Sequence, residues 1–534
     1  MFGGLGLVAF KADDYFEISK NLEIFADVYK QVNTSYVDDV KPGELIRAAI
    51  NGMLASLDPY TNFYSEAEAE EYRYQVTGTF AGIGSSIRRI DDYIYIESPL
   101  DDFPAQKAGL LPGDKILEVD GQSMKGKKTD EVTEFLKGKA GTSFNLKIER
   151  IGSGILEKTI TRETIKVKNV PYHGIIENHI GFIKLAGFTP NAGKEVQDAL
   201  LDLKSKGATK IVLDLRNNGG GLLHEAVNIV NIFVPKGATI VITRGKFEEV
   251  NRIYKTLNSP VDTEIPLVIL INNNSASASE IVSGALQDFD RAVLIGQNSF
   301  GKGLVQTTMS LNYNTSMKVT TAKYYIPSGR LIQRLDYGNK VNGKAIAVAD
   351  SVKKDFYTKN GRKVIDGEGI QPDVPVEETR YSKLAQALIK NDLLFKFANQ
   401  FRSTHDSIDE PLKYSVSDDV FNEFKQFIAD KEYSYTTQTE RDLEKLEKQA
   451  KEEKYFSLLE EELTKLKKAL ESTKQSDLEN HKTELKELLE YEIVKRYYFE
   501  KGKVEVGFDD DVEWAKAKSI LNNSNAYNNL LIVN

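Results

Sequence analysis

The hydrophobic pattern of the chain changes several times, and each change marks a different kind of structure. From residue 15 to about residue 72, apolar residues recur at helical spacing. In the stretch FEISKNLEIFADVYKQV, the apolar residues that fall near one face are Phe16, Ile18, Leu22, Ile24, Phe25 and Val28. The stretch LDPYTNFYSEAEAEEY adds a proline turn and another short helical run. We therefore predict a helical N-terminal domain over residues 1–76.

The next two regions differ in their hydrophobic patterns and therefore in the elements that they predict. Residues 77–167 alternate short strand-like runs with glycine turns, as in AGIGSSIRRIDDYIYIESPLDDFPAQKAGLLPGDKILEVDGQSMKG, which predicts a small β-rich domain. In residues 168–380, the buried-looking strands KIVLDLRNN and PLVILINNN lead into the helical runs LLHEAVNIVNIF and SEIVSGALQDF. Consecutive strand-to-helix units of this kind predict an α/β core.

The tail, residues 381–534, is rich in charge. It carries leucines at helical spacing within a dense field of charged residues, namely Leu459, Leu463, Leu466 and Leu470. We predict a helical, solvated region. The leucines could form a coiled-coil surface for a partner, but an intramolecular pair of helices is the favoured interpretation.

Composition narrows the class of protein. A chain of 534 residues is too long for one core, since domains usually hold about 100 to 200 residues. Its 41% apolar and 28% charged residues are typical of a folded soluble protein, and a net charge of −9 gives no basic surface for nucleic acid. The absence of cysteine from the sequence excludes disulfides, thiolate-bound metals and a thiol nucleophile.

The first residues, MFGGLGLVAFKADD, form a short apolar stretch from Phe2 to Phe10. With no basic residue before it, the stretch is too short for a complete secretory signal. It is either the trimmed end of a signal or an ordinary apolar segment that packs on the body. Elsewhere no stretch reaches the roughly 18 apolar residues that a membrane helix needs.

A first candidate for chemistry is the stretch DLRNNGGGLLHEA. A hydrophobic strand ends in Arg216-Asn217-Asn218, and the glycines Gly219 to Gly221 precede a helix. Glycines at such a turn let backbone N–H groups face a bound oxygen, and the helix N-terminus adds partial positive charge. The turn is therefore a candidate oxyanion site. A tight turn without function, or a phosphate cradle, is the alternative, although the stretch does not match the GxxxxGK[ST] phosphate loop.

A second candidate is SASASE, at the next strand-to-helix junction. A serine at a sharp turn of this kind can present its hydroxyl above the end of the sheet. From this stretch alone, helix capping is the favoured reading, with Ser279 as the capping residue.

The third candidate is Lys302, between Gly301 and Gly303 in SFGKGLVQ. A serine needs a base to become a nucleophile, and the usual base is histidine. The five histidines of the chain all lie outside residues 275–306. A lysine can serve if burial lowers its pKa, because desolvation disfavours the ammonium form. The alternative is a surface lysine in a glycine turn.

These stretches, with TTAKYYIPSGRLIQ and GEGIQPDV after them, resemble in order the motifs of the C-terminal processing peptidases, or tail-specific proteases. Members of this family are serine–lysine endopeptidases with an embedded PDZ domain. The stretches GTFAGIGSSI and AQKAGLLPGDKILEVDGQ resemble that domain, and SLDPYTNFY resembles the segment before it. The resemblance covers roughly residues 20–376 and implies an α/β protease core of the ClpP/crotonase type with a PDZ domain inserted. No family motif falls in the tail.

The resemblance also implies roles for single residues. Ser277, the middle serine of SASASE, matches the nucleophile, Lys302 matches the general base, and Gln306 matches the residue that orients the lysine. The oxyanion hole is implied at the Ala278 N–H and an N–H of the Gly220-Gly221 turn. Where the family often has proline in NNPGG, this chain has Gly219, which loosens the turn but keeps the donors.

For the PDZ domain, the resemblance places the carboxylate-binding loop at Gly82-Ile83-Gly84, with Ile83 available to line a pocket for the last side chain of a substrate. The implied partners are proteins or peptides with apolar C-termini, and the N-terminal helices imply a homodimer. No nucleic acid, metal or cofactor is expected.

The implied function is that of a serine endopeptidase that cleaves proteins near or from their C-termini. The implied location is the periplasm or cell envelope, close to a membrane. Two alternatives stay open at this point. One is a crotonase-like enzyme that acts on acyl-CoA, and the other is a non-catalytic PDZ scaffold with a decayed protease core.

Overall fold

The computed structural model describes residues 12–532, so the apolar stretch from Phe2 to Phe10 lies outside the described part. The N-terminal region contains helices α1 (Ala12–Ser35) and α2 (Pro42–Ala55), strand β1 (Asn62–Tyr64) and helix α3 (Glu66–Thr77). Ser65 begins α3 as a capping residue, because Glu68 accepts hydrogen bonds from its backbone N–H at 2.9 Å and its hydroxyl at 2.8 Å. Gly78 ends the helix in the left-handed conformation.

The β-rich domain follows directly. Its elements are β2 (Thr79–Gly82), β3 (Ser85–Ile90), β4 (Tyr93–Pro99), α4 (Pro104–Lys107), β5 (Lys115–Val119), β6 (Gln122–Ser123), α5 (Thr129–Leu136), β7 (Ser143–Arg150), β8 (Gly154–Thr161) and β9 (Glu163–Lys166). The main sheet has the order β3-β4-β5-β7-β8, with β3 at one edge, and β2 pairs with β9. Helix α5 packs beside β3. Alternating apolar residues of the sheet, such as Ile94, Ile96, Leu146 and Ile148, form a separate core.

The α/β core comes next in the chain. Its elements are β10 (Tyr172–Glu177), β11 (Ile180–Lys184), α6 (Ala192–Ser205), β12 (Lys210–Asp214), α7 (Leu223–Phe233), β13 (Thr239–Gly245), β14 (Arg252–Lys255), β15 (Leu267–Ile271), α8 (Ala278–Asp288), β16 (Val293–Gly296), β17 (Leu304–Ser310), β18 (Ser316–Tyr325), β19 (Leu335–Val341), β20 (Lys344–Ala347), β21 (Asp355–Tyr357), β22 (Lys363–Ile365) and β23 (Val374–Pro375). Both strand-to-helix units that the sequence predicts are confirmed, as β12 with α7 and β15 with α8.

The central sheet of the core has the order β10-β11-β12-β15-β16-β23 and is parallel from β11 onward. Strands β12 and β15 are neighbours, and Asp214 lies opposite Leu270 near their carboxyl ends. The loops that follow these two strands therefore meet at one edge of the sheet, where α/β proteins usually bind ligands. A second sheet has the order β1-β18-β13-β14, with β17 paired to β18, so the N-terminal strand β1 belongs to the core.

The C-terminal region is helical, as predicted. Its helices are α9 (Lys383–Lys390), α10 (Leu393–Thr404), α11 (Asp418–Ile428), α12 (Gln438–Glu452), α13 (Phe456–Gln475), α14 (Asp477–Asn480), α15 (Lys482–Val506), α16 (Val512–Leu521) and α17 (Ser524–Asn529). Helices α12 and α13 pack on each other, with Leu443 and Leu463 buried and Lys474 paired to Glu440 at 2.9 Å. The leucine-rich stretch thus forms the intramolecular pair that the sequence favoured.

The prediction of a solvated tail is wrong for much of the tail, because helices α9, α10, α11 and α15 enclose a hydrophobic core of their own and the last helices pack on the central sheet. Trp514 of α16 and Tyr527 of α17 are buried against Val212, Val268 and Val293 on one face of the central sheet. Helices α6, α7 and α8 cover the opposite face. The end of the chain therefore supplies the second layer that a parallel sheet needs, since such sheets are buried on both sides.

The helical region also contacts the β-rich domain. Helix α15 packs against β4, and Arg88 on β3 pairs with Asp392 at 2.7 Å. The ring of Phe395 lies under the Arg88 guanidinium and meets Tyr95 edge-on. Within the described residues, no helix is both long and apolar enough to cross a membrane.

Candidate active site

Ser277 occupies a strained turn between β15 and α8. Its φ of 56° and ψ of −112° are angles that residues other than glycine rarely adopt. Its backbone N–H donates to the Glu280 carboxylate at 2.8 Å. Ser277 stands at the N-cap position of α8 and lines a cleft. Such a turn presents a hydroxyl above the end of the sheet.

The two neighbouring serines have other roles. Ser275 donates its hydroxyl to the Leu215 carbonyl at 2.8 Å, and Ser279 donates to the Asn218 carbonyl at 2.8 Å. Both are fully buried. Ser279 lies inside α8, so the expectation that it caps the helix is wrong. These bonds join the serine turn to the glycine turn that follows β12.

The glycine turn approaches the serine turn so closely that side chains are excluded. Gly220 has a φ of 98°, and a Cβ there would lie 2.7 Å from the Ala276 carbonyl and 2.9 Å from the Ala278 nitrogen. Gly221 has a φ of 153°, and its Cβ would lie 2.6 Å from the Phe188 carbonyl. The N–H of Gly220 donates to the Asn218 side chain at 2.9 Å, so in this conformation it is not free for a ligand.

Lys302 lies close by in a partly buried position. Burial lowers the pKa of Lys302 to about 8, and the positive charge of Lys318 acts in the same direction, whereas Glu280 and Asp58 oppose it. Its ammonium stands 4.4 Å from the centre of the Tyr60 ring. These surroundings argue against an ordinary surface lysine and leave roughly a tenth of Lys302 neutral at pH 7.

Glu280 joins the serine turn to the lysine turn. This fully buried carboxylate accepts hydrogen bonds from the Ser277 N–H at 2.8 Å, the Gly301 N–H at 2.7 Å, the Lys302 N–H at 2.9 Å and the Ser299 hydroxyl at 2.5 Å. Burial raises the pKa of Glu280 to about 7 against these bonds, which lower it. One side chain thereby fixes the backbone at both Ser277 and Lys302.

Tyr324 and Gln306 complete this wall of the cleft. The Tyr324 hydroxyl lies 2.5 Å from the Lys302 carbonyl and 3.2 Å from the Ser277 carbonyl, so it is shared between the two turns. Gln306 lines the cleft, but its amide donates to the Thr320 hydroxyl at 3.2 Å. The described residues include no hydrogen bond from Gln306 to Lys302, so the structure does not display the orienting contact expected of Gln306.

The cleft in front of these residues measures about 1220 Å³. Its lining includes the site residues Gly220, Gly221, Ser277, Ala278, Lys302 and Gln306, together with Phe188, Leu223, Ile281 and Leu304. It is thus large enough for several residues of a peptide and mixes apolar surface with the polar groups that the sequence singled out.

The predicted PDZ loop is buried. Gly82, Ile83 and Gly84 connect β2 to β3, the edge strand of its sheet. Ile83 is 3% exposed and belongs to the core of the domain, and its carbonyl accepts from the Ala105 N–H at 2.8 Å. This differs from the expectation that Ile83 is open to line a pocket.

Sequence reasoning missed three contributors to the site. Glu280 was detectable, because Ser277 and Glu280 form the S-x-x-E pattern of a capping box. Tyr60 and Tyr324 had no such signal, since tyrosines are common in cores and the contact of Tyr60 with Lys302 joins residues far apart in the sequence.

Comparison with known families divides the chain into recognised parts. Residues 179–340 match the model of peptidase family S41, and residues 95–150 match a PDZ domain. Residues 8–69 match the N-terminal domain of the activating protease CtpB, and residues 384–521 match the C-terminal helical domain of probable PDZ-proteases.

Several known proteases are similar to this chain. A carboxy-terminal-processing protease of Bartonella bacilliformis is 43% identical over 320 residues, which span 59% of this chain and 73% of that protein. A probable CtpA-like serine protease of Staphylococcus aureus is 36% identical over 379 residues, or 70% of this chain and 68% of the relative. Among solved structures, the photosystem II D1 C-terminal processing protease aligns with 66% of this chain and 92% of its own, at 26% identity and a TM-score of 0.37.

Proposed function

Because the chain belongs to peptidase family S41, as a carboxy-terminal-processing serine protease with a PDZ domain, we propose that Ser277 is its nucleophile and Lys302 its general base. The observation that carries this assignment is the pairing of a strained serine with a lysine whose pKa is lowered to about 8 in the same cleft. An acyl-CoA enzyme of the crotonase type or a decayed scaffold gives no reason for this pair.

The reaction is acyl transfer. Neutral Lys302 takes the proton of the Ser277 hydroxyl as the serine oxygen attacks the carbonyl of the scissile peptide bond. The lysinium then protonates the leaving amine, and an acyl-enzyme remains. Water attacks the ester with Lys302 again as base, which releases the new C-terminus and restores both groups.

The oxyanion is held by the backbone. We assign the donors to the N–H groups of Ala278 and Gly221, because the Gly220 N–H is already bonded to Asn218. Ala278 follows the nucleophile at the start of α8, where the helix dipole favours negative charge. Gly220 contributes by its lack of a side chain, which allows the glycine turn to reach the serine turn.

Three side chains position Lys302. Glu280 accepts from the backbone N–H of Lys302, Tyr324 donates to its backbone carbonyl, and the Tyr60 ring lies beside its ammonium. Gln306 lines the same cleft, and we expect it to bind Lys302 when substrate is present, since catalytic hydrogen bonds are often looser without substrate.

The assignment is tested with an internally quenched peptide that ends in a free apolar residue. Ser277→Ala and Lys302→Ala are each expected to reduce kcat to background, because nucleophile and base act as one unit. Lys302→Arg is expected to be equally inactive, since guanidinium does not lose its proton. Lys323→Ala serves as the control, because Lys323 is an exposed lysine of β18 that is not part of the lining of the cleft. Near-wild-type turnover by Lys302→Arg would assign the base to another group.

Two features of the partners are also part of the proposal. We propose that substrates end in an apolar residue, which the PDZ domain binds.

We also propose a homodimer through α1, whose apolar side chains are exposed in the single chain, with Phe16 at 71%, Leu22 at 63% and Val28 at 56%. Sedimentation velocity on the wild type and on Leu22→Asp tests this. A monomeric wild type at micromolar concentration would contradict it.

A further inference from the structure

The loop that carries the glycine turn is tied to the far end of the chain. Arg216 follows β12 and is largely buried, with 16% of its side chain exposed. Its guanidinium donates to Asp511 at 2.9 and 2.6 Å in a two-pronged pair, and to Glu513 at 3.2 Å. On its other side it binds Asp214 through two bonds of 3.0 Å. Two carboxylates near the start of α16 thus hold an arginine of the core.

The fixed arginine leads directly into the active-site loops. Asn217, the next residue, donates its N–H to the Asn272 side chain at 2.9 Å, which joins the loop after β12 to the loop after β15. The carbonyl of Asn218 accepts from the Ala276 N–H at 3.0 Å, and its side chain accepts from the Gly220 N–H at 2.9 Å. Displacement of Arg216 would therefore move the glycine turn relative to Ser277.

The segment that supplies the two carboxylates is firmly seated. Trp514, next to Glu513, is 1% exposed and packs against Phe182 and Phe508. The Tyr527 hydroxyl bonds both the N–H and the carbonyl of Leu267 on β15, at 2.9 and 3.2 Å. Glu513 also accepts from the Gln297 side chain at 2.8 Å. Asp511 and Glu513 are thus held by the central sheet itself.

We propose that Asp511 and Glu513 are positioning residues of the active site. Through Arg216 they fix the position of the glycine turn that carries the oxyanion donor, so the last helical segment contributes to catalysis. The proposal rests on the proposed function, since it concerns the same oxyanion hole. A buried, two-pronged arginine–carboxylate pair fixes direction as well as distance. An oxyanion donor that moves by about 1 Å is expected to lose much of its effect on the transition state.

The test compares charged residues of the segment that do and do not contact Arg216. Asp511→Asn keeps the shape of the side chain and removes its charge. The matched control is Lys518→Met, which breaks a surface ion pair between the same helix and Glu177 of β10, away from the turn. For each variant we measure the unfolding temperature, kcat and KM on the quenched peptide, and the affinity for a peptide boronic acid, whose serine adduct places an oxygen in the oxyanion hole.

Asp511→Asn is expected to lower kcat by about tenfold to a hundredfold with KM within about twofold, and to weaken the boronic acid to a similar extent. Lys518→Met is expected to change none of these by more than about twofold. If Asp511→Asn does not fold, Glu513→Gln, which loses one longer contact, takes its place with a smaller loss of kcat.

The proposal is overturned if the folded variant keeps kcat within twofold of wild type, or if Lys518→Met loses as much as Asp511→Asn does. It is also overturned if kcat falls while boronic acid affinity is unchanged. Failure of the proposed function has a different signature, because then the wild type itself shows no cleavage that depends on Ser277.

Discussion

The charge state of Lys302 decides whether the site can work at a given pH. The groups that face its ammonium are Lys318 on β18, Glu280 on α8, and Asp58 and Tyr60 from the N-terminal segment. Burial lowers the pKa of Lys302 to about 8. Activity is expected to rise with pH through this value, because the base must be neutral to accept the proton of Ser277.

Lys318 offers a direct test of this electrostatic picture. Its ammonium lies over the rings of Tyr64 and Tyr72, at 5.8 and 5.1 Å, and it lines the same cleft as Lys302. Removal of a positive neighbour lets Lys302 hold its proton to higher pH. Lys318→Met is therefore expected to shift the acid limb of the kcat profile to higher pH, with a severalfold loss at pH 7 and little change at pH 10. The control is Lys323→Met, an exposed lysine of the same strand that is not part of the lining of the cleft. An unshifted limb in Lys318→Met would show that this charge does not act on the base.

The catalytic turns could be located from the sequence because their elements obey simple rules. Two apolar strands that each lead into a helix predict parallel neighbours, and their carboxyl ends then lie together. The strand-to-helix pattern alone thus favours a position for Gly220 and Gly221 close to Ser277. The positive φ of Ser277 and the bonds of Glu280 to both turns depend on atomic packing, which periodicity does not report.

Within the glycine turn, neighbouring positions should differ sharply in tolerance. A Cβ at Gly220 would lie 2.7 Å from the Ala276 carbonyl, whereas a Cβ at Gly219 would meet nothing within 4 Å. Gly220→Ala is expected to reduce kcat by about a hundredfold or more, since the turn must withdraw from Ser277. Gly219→Ala should stay within about threefold, because its site is open and its φ is not in the left-handed region. Equal losses in the two variants would indicate a general effect on the turn rather than a close approach.

At the scale of the whole molecule, the sequence predicted the order of the regions along the chain but not the contacts between them. The high density of charged residues predicted a solvated tail, but its last helices bury Trp514 and Tyr527 on the central sheet. Strand β1, from the N-terminal region, joins the second sheet of the core and brings Tyr60 to Lys302. Such contacts join segments hundreds of residues apart, and one sequence carries no signal for them.

The arrangement of the PDZ domain leads to a prediction about substrate ends. Strand β3 lies at the edge of its sheet, beside α5, and follows the loop Gly82-Ile83-Gly84. An edge strand can accept a peptide as an added strand, and N–H groups of a glycine loop can bind its terminal carboxylate. Ile83 is packed in the core of the domain, so the prediction concerns the N–H groups of the loop and the terminal carboxylate.

Amidation of a substrate's C-terminus removes that carboxylate and leaves the scissile bond unchanged. We expect kcat/KM to fall by about tenfold to a hundredfold, because a lost hydrogen bond to a charged group costs about 1.5–3 kcal/mol. A peptide that ends in Asp should also be slow, since a charged side chain resists burial in an apolar pocket. Ser277 should stay reactive toward a fluorophosphonate whichever peptide is added, which separates recognition from chemistry. Equal cleavage of free-acid and amidated peptides with the same apolar last residue would contradict carboxylate recognition, while the assignment of Ser277 and Lys302 would stand on its own tests.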